Sequence, residues 1–355
     1  MTQLDDVLRL VRIDSVSRNE ASLADHVAGL LRGAPHLDVV RIGDNVVART
    51  TGSLAQRVLV AGHLDTVPGD ASAACIEGGT LHGLGACDMK GSLAIMLDLA
   101  LEEPHWFAET TWVFYAREEI ARSESGLLEI AASRPDLLAA DVALLGEPTN
   151  GAVEAGCQGT LRVDIVLRGA RAHTARPFTG RNAIHRLAGL LTTVANYVPR
   201  EVACEGVGYV EQLQAVGVSG GVSGNVVPDE ARLTLNHRFA PDRTGEEALA
   251  WLRTYLEAWL EPGDELTVAD LAPSAPPALE HPALARLVAL TGRGAVGKVG
   301  WTDVATLHAL GVPATNFGAG DPLLAHRSDE RLGADELATT ASVLRAWLAS
   351  TVSQA

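Results

Sequence analysis

The amino-acid sequence predicts an α/β fold, a mixed and largely parallel sheet flanked by helices, into which a second domain of α+β sandwich type is inserted. The layered part follows from Leu4 to about Leu145, where helical patterns such as SLADHVAGLLRG and GSLAIMLDLALEE alternate with the short apolar strands RVLVAG, TTWVFYA and DVALLG. Helices alternating with buried strands indicate a parallel sheet covered on its faces. The insertion follows from a change of pattern between about Gly159 and Ala269. There, two longer alternating strands, TLRVDIVLRG and EARLTLNHRFA, accompany amphipathic helices near Asn182 to Tyr197 and Glu246 to Leu260. The run APSAPPALEHP, rich in proline and alanine, reads as a linker back. The layered pattern then resumes with VATLHAL, the strand VPATNFG and a terminal helix from Gly333 to about Ser350. These changes put residues 1–157 and 273–355 in the first domain and 158–272 in the insertion. There is no internal repeat and no low-complexity segment.

A chain of 355 residues is long enough for two domains of roughly 100 to 200 residues each. A hydrophobic content of 47% supplies their cores. The formal net charge of −16 argues against nucleic acid or an anionic membrane as partner, since both require a basic surface. An anionic ligand must therefore be met by local arginines. No apolar run reaches the ~18 residues of a membrane span, and MTQLDDVLRLVRI reads as an acid-capped amphipathic helix rather than a signal peptide. The expected location is the cytoplasm. Cys75, Cys87, Cys157 and Cys204 form no CxxC pair and are expected as thiols.

The residues that carry chemistry sit at strand ends and in loops. In AGHLDTVPGD the strand alternation turns His63 and Asp65 to one side and Leu64 to the other. In GGTLHGLGACDMKG the glycines permit a tight loop that delivers Asp88 just before a helix. A dinucleotide loop is excluded, because GLGACD lacks the third glycine and sets a carboxylate where a pyrophosphate needs open backbone. TTWVFYA ends at Arg117 and is followed by Glu118 and Glu119, a pair that repels unless it is solvated or beside a cation. DVALLGEPT ends in Glu147, and GAGDPLLAHRSDE supplies His326.

Singly, these features are ordinary: a histidine at a strand end is usually structural, and paired glutamates are usually solvated. Together they carry more, because the carboxyl ends of strands in an open α/β sheet line one crevice. Two imidazoles and three carboxylates, one of them shared, make up the ligand inventory of a two-metal site for borderline metals such as zinc, with one glutamate left unligated. His26, His36, His82, His105, His185, His237, His281 and His308 have no carboxylate at ligand spacing on a strand end and read as structural or surface residues.

The ordered set HLDTVP, GLGACDMKG, REE, GEPT and AHRSDE, spanning Ala61 to Glu330, resembles the di-zinc aminoacylase and carboxypeptidase family. The resemblance covers essentially the whole chain and implies a zinc-exopeptidase-like fold. It also implies a homodimer, since GARAHTARPFTGRNAI in the insertion resembles the family's dimer-contact segment. By the same resemblance Asp88 bridges two zinc ions per subunit, His63 and Glu147 complete one site, and Glu119 and His326 complete the other, with cobalt able to substitute. Asp65 would hold the His63 ring by its second nitrogen. The peptide after Asp88 would be cis. Glu118 would act as base and then acid, and His173 would reach from the second subunit to the tetrahedral oxyanion. Arg238 in LNHRFAP resembles a substrate-carboxylate arginine, and Asn225 in SGNVVPDE a polar residue of the same pocket.

The runs VEAGCQGTLRV, AVGVSGGVSGNVVPDE, GWTDVATL and GDPLLAHRSDE are most similar to actinobacterial members that act on a succinylated diamino acid. The implied reaction is hydrolysis of N-succinyl-LL-2,6-diaminopimelate to succinate and LL-2,6-diaminopimelate. Cys157-Gln158-Gly159-Thr160 and Gly300-Trp301-Thr302-Asp303 depart from the proteobacterial pattern, so contacts to the diaminopimelate end do not carry over. The alternatives are a deacylase of acetylornithine or another N-acyl amino acid with the same zinc residues, and a zinc-binding interaction protein without catalysis. The intact Glu118 stands against the second.

Overall fold

The computed structural model describes residues 3–70, 73–102 and 105–349, and they divide into two compact units. The first comprises the described residues up to Gly156, Pro277–Gly297 and those from Thr302 onward. Its eight-stranded sheet has the order Leu37–Ile42, Asn45–Thr50, Glu109–Tyr115, Arg57–His63, Val142–Leu145, Ala314–Asn316, Val153–Ala155, Ala295–Gly297. The four strands from Glu109–Tyr115 to Ala314–Asn316 run parallel. Antiparallel pairings join Asn45–Thr50 and Val153–Ala155 to this block, so the sheet is mixed and largely parallel, as expected.

Helices explain why the central strands read as unbroken apolar runs. Val58, Val60, Trp112, Phe114, Val142 and Leu144 pack with Leu93, Met96, Leu344 and Trp347 from the helices Gly91–Leu101 and Ala334–Ala349 in one core. The helix Gln3–Val11 buries Leu4, Val7, Leu10 and Val11, one stripe at helical spacing, and carries Asp5 and Asp6 in its first turn, where the helix dipole favours them. Ser350, the expected end of the last helix, lies outside the described residues. Among the described residues no helix is long and apolar enough to cross a membrane.

The second unit comprises Cys157–Pro276 with Lys298–Trp301. Its antiparallel sheet has the order Gln212–Gly220, Glu230–Phe239, Gly159–Arg168, Glu265–Ala272. Leu161, Val163, Ile165 and Leu167 share a core with Ala231, Leu233 and Leu235, the alternate positions of two paired strands, and with Leu187, Leu190 and Leu252 from the helices Ala183–Ala195 and Gly245–Leu256. Asn182 caps the first helix, and Thr244 with Glu247 forms a capping box on the second.

Two details differ from the sequence reading. The outer strands Gln212–Gly220 and Glu265–Ala272 escape it because most of their residues are exposed and no apolar alternation marks them. The unit boundaries fall at 156/157 and 276/277 rather than 157/158 and 272/273, and residues 298–301 leave the first domain for the second unit. Hydrogen bonding is the cause: Cys157 bridges Ala275, the Gln158 N–H donates to the Lys298 carbonyl at 3.3 Å, and the Trp301 indole Nε1 donates to the Pro273 carbonyl at 3.0 Å.

Candidate active site

The register of the parallel strands brings their ends to one rim. His63 lies opposite Tyr115, and Leu145 lies opposite both Ala61 and Asn316. Whatever follows each strand is therefore delivered to the same edge: His63 itself, the Arg117–Glu119 turn, Glu147, and the loop that carries His326. Asp88 arrives from the tight turn Ala86–Lys90, which enters through Gly85 at φ 79° and contains a cis Asp88–Met89 peptide. The turn lies against the sheet where glycine leaves room. A Cβ on Gly62 would meet Met89 Cε at 2.5 Å, and one on Gly146 would meet it at 2.8 Å.

Asp88 stands between the two imidazoles. Its Oδ1 is 3.1 Å from His63 Nε2, and its Oδ2 is 3.4 Å from His326 Nε2. Each imidazole also has its own glutamate, Glu147 Oε1 at 4.0 Å from His63 Nε2 and Glu119 Oε1 at 2.8 Å from His326 Nε2. One carboxylate thus offers separate oxygens to two separate imidazole–glutamate pairs.

Asp65 works differently from the expectation. The His63 ring is held by the Asp65 carbonyl, 2.9 Å from Nδ1, whereas the carboxylate lies 3.6 Å from that nitrogen. The carboxylate instead accepts the Glu118 and Glu119 N–H groups, both at 3.0 Å, and the Ser17 hydroxyl at 2.7 Å. The physical reason is demand: two backbone donors at a turn that leaves the sheet need an acceptor, and an ionised one is the strongest available. Asp65 therefore aims the glutamate pair, while its carbonyl directs Nε2 of His63 toward Asp88. Nothing in the sequence singles out Ser17, a serine 48 residues from its partner.

Two non-glycine residues at the rim, Arg117 and His326, hold a left-handed backbone at φ 62°. Such conformations cost on the order of 1–3 kcal/mol each and persist where the surroundings fix them. Around Arg117 the fixing groups are the Glu20 carboxylate on its N–H at 3.0 Å, the Glu124 carbonyl at 2.8 Å and the Glu129 carboxylate at 2.5 Å.

The electrostatics call for positive charge. Burial alone would lower the His63 pKa, yet Asp88, Glu147 and Asp65 raise it well above the ordinary value. Hydrogen bonds to Asp88 and Glu119 raise His326 to about 10. Burial pushes Asp88 up, but His326 and His63 hold it far below the usual carboxylate range. Glu118 is driven well upward by burial and by the neighbouring Glu147 and Glu119. Buried Asp303, which accepts the Ser125 hydroxyl at 3.2 Å, adds to that negative field.

Divalent cations would satisfy this demand. Donors on a tetrahedral zinc at ~2.0–2.1 Å lie roughly 3.3 Å from one another, and the donor pairs here span 2.8 to 4.0 Å. Ligand atoms of His63, Asp88 and Glu119 all fall within 4.8 Å of one another. The residues present fit a dinuclear metal centre.

His173, Asn225 and Arg238 belong to the second unit. His173 and Asn225 are brought together there: Ala172–His173 pairs with Val226–Val227, and the Thr174 N–H donates to the Asn225 carbonyl at 3.1 Å. The exposed His173 ring accepts the Ala175 N–H on Nδ1 at 3.0 Å, which leaves the proton on Nε2. Arg238 is far from that pair. It lies opposite Thr160, to whose hydroxyl it is hydrogen-bonded, while Glu230, beside the His173 end of the same strand, lies opposite Arg168. Residues 230 and 238 are eight steps of roughly 3.4 Å apart, so the strand spans about 27 Å between them.

Comparison with known proteins agrees with this architecture. The chain is 46% identical over 341 residues to a Mycobacterium tuberculosis protein provisionally named succinyl-diaminopimelate desuccinylase, covering 96% of each. It is 42% identical over 354 residues to the succinyl-diaminopimelate desuccinylase of Corynebacterium glutamicum, covering 96% of this chain and 94% of that one. Among solved structures, an aminopeptidase of Bacillus cereus superposes with a TM-score of 0.79 at 20% identity, over 99% of this chain and 98% of its own. A dinuclear metal-binding peptidase of Bacillus subtilis superposes at 0.70 and 15% identity, over 97% and 96%. Both show a shared fold. Residues 59–350 match Peptidase family M20/M25/M40, and the chain, a hydrolase by that descent, belongs to this family.

Proposed function

We propose that this protein hydrolyses N-succinyl-LL-2,6-diaminopimelate to succinate and LL-2,6-diaminopimelate, a step of diaminopimelate and lysine biosynthesis, as a cytoplasmic homodimer with two zinc ions per subunit. The observation that carries the chemistry is the Asp88 carboxylate, with one oxygen toward His63 and the other toward His326. The substrate rests on the near full-length similarity to proteins named for that reaction.

His63 and Glu147 would hold one zinc ion, His326 and Glu119 the other, with Asp88 shared. When bound, such ions polarise the amide carbonyl and lower the pKa of water toward about 7. Glu118 stands beside this set and takes the proton of the attacking water as the oxygen adds to the amide carbon. It returns that proton to the amine nitrogen as the C–N bond breaks, so one carboxyl serves as base and then acid. Burial disfavours its charged form, which suits a group that must take up a proton. Asp65, through the two N–H groups, keeps Glu118 and Glu119 in fixed relation. His173, with its proton on Nε2, is the donor to the oxyanion. Arg238 grips a substrate carboxylate, and Asn225 supports the pocket beside His173.

Donation of His173 by the second subunit is supported by the strand Glu230–Phe239, about 27 Å long between residues 230 and 238, because the Val226 segment that pairs with His173 enters it at one end and Arg238 lies toward the other. A substrate much shorter than that strand would meet the two residues from two copies. Mixing tests this reading. A His173→Ala chain and a Glu118→Gln chain are each expected to be nearly inactive, while their heterodimer regains one complete site of two. Subunits that exchange yet recover no activity rule the donation out.

The proposed reaction itself is tested by kcat/KM on N-succinyl-LL-2,6-diaminopimelate and on N-acetylornithine. The succinylated substrate is expected to win, and a chelator is expected to abolish an activity that Zn²⁺ restores. A preference for N-acetylornithine would move the assignment to that deacetylase.

A further inference from the structure

We propose that Glu330 is a positioning residue for Asp88, and that the reach of its side chain fixes where the shared carboxylate stands relative to His326. The inference rests on the two-cation reading above. Glu330 is 2% exposed, and its Oε1 accepts hydrogen bonds from two consecutive backbone N–H groups, Cys87 at 2.9 Å and Asp88 at 3.0 Å. The Glu330 carbonyl in turn accepts the Gly83 N–H at 3.0 Å. The turn from Gly83 to Asp88 is thus anchored near both ends on one residue more than 240 positions away.

The anchor belongs to the segment that supplies the second imidazole. The Glu330 N–H donates to the Arg327 carbonyl at 3.2 Å, closing a turn directly after His326. His326 Nε2 faces Asp88 Oδ2 at 3.4 Å and Glu119 Oε1 at 2.8 Å. One short segment therefore holds both the backbone of the shared ligand and a partner of its carboxylate, which makes their separation a property of Glu330's length.

The backbone explains why a side chain is needed. Asp88 has φ −119° and ψ 94°, outside the helical range, and the helix proper begins only at Gly91. The N–H groups of Cys87 and Asp88 are buried with no helical carbonyl to receive them. Left without Glu330 they would each be a buried unsatisfied donor, and the turn would rotate to find another. Groups that hold a metal ligand from behind typically matter 10–100-fold in metal affinity.

Length can be separated from charge. Glu330→Gln keeps the reach and an accepting oxygen without the charge, and Glu330→Asp keeps the charge but is one methylene shorter. Metal-free full-length wild type and both variants are titrated calorimetrically with Zn²⁺, and their visible spectra are recorded with Co²⁺. Wild type is expected to take two ions, and Glu330→Gln to take two with affinities within about threefold and the same Co²⁺ spectrum. Glu330→Asp is expected to bind about 10–100-fold more weakly with an altered spectrum. An Asp variant with wild-type affinities and spectrum overturns the inference. So does a folded Gln variant that loses affinity, which decides the matter alone should the Asp variant not fold. A wild type that takes fewer than two ions overturns the two-cation reading, and this inference falls with it.

Discussion

Glu118→Gln is expected to lower kcat by about 10² to 10⁴, the range for loss of a general acid–base group, while both metals stay bound. The loss corresponds to roughly 2.7–5.4 kcal/mol of barrier. The substitution preserves volume and leaves the main-chain hydrogen bonds to Asp65 intact, because these involve the N–H groups of residues 118 and 119 rather than their side chains. What it removes is the oxygen proposed to take the water proton. Glu119→Gln is expected to act on a different quantity. Its Oε1 lies 2.8 Å from His326 Nε2 and belongs to the proposed ligand set, so metal affinity is expected to fall first and turnover to follow the metal. Zinc content and single-turnover rates of the two variants, measured side by side, separate the roles. Near-native turnover in Glu118→Gln would show that the base lies elsewhere.

Arg238→Ala is expected to damage hydrolysis of the succinylated substrate more than that of its acetylated analogue, by about 2–5 kcal/mol in kcat/KM, the range for breaking a buried charge pair. Arg238 lies on the less buried face of its strand, hydrogen-bonded to the Thr160 hydroxyl, and makes no ion pair to a carboxylate among the described residues. Burial lowers its guanidinium pKa, an effect that the more distant Asp270 only partly opposes. A desolvated cation held by a neutral hydroxyl is costly to keep, and a ligand carboxylate gripped by two parallel hydrogen bonds would offset that cost. Succinyl ends in such a carboxylate and acetyl does not. Equal losses on the two substrates would make Arg238 structural.

The strand ends were legible in the sequence because fully buried parallel strands stand out as apolar runs, and the residues just beyond them are the ones the sheet delivers to a single rim. His63, Glu118 with Glu119, Glu147 and His326 follow from that rule. Asp88 is a different case, since its loop was readable from glycines but its place between two imidazoles depends on packing of Met89 against Gly62 and Gly146. The role of Asp65 was half legible. Strand alternation fixes the side on which its side chain lies, but which of its oxygens meets His63 and which meet the Glu118 and Glu119 N–H groups depends on the turn at Arg117. Ser17 and Glu330 act through contacts to residues 48 and more than 240 positions away, for which a single sequence carries no pattern. In the second unit, the inner strands show period-two burial and were found, whereas the exposed outer strands were not. The placement of the His173 segment and Arg238 toward opposite ends of one strand needs the register, which no motif supplies.

The proposed site turns on one carboxylate serving two cations, and zinc stoichiometry tests that directly. Metal-free full-length protein is saturated with Zn²⁺, desalted and counted for zinc per chain by plasma mass spectrometry, alongside an Asp88→Ala variant. Two ions per chain are expected in the wild type and a loss of both in the variant, since each site loses a ligand. One ion or none in the saturated wild type, or two ions retained without Asp88, would contradict the proposed site.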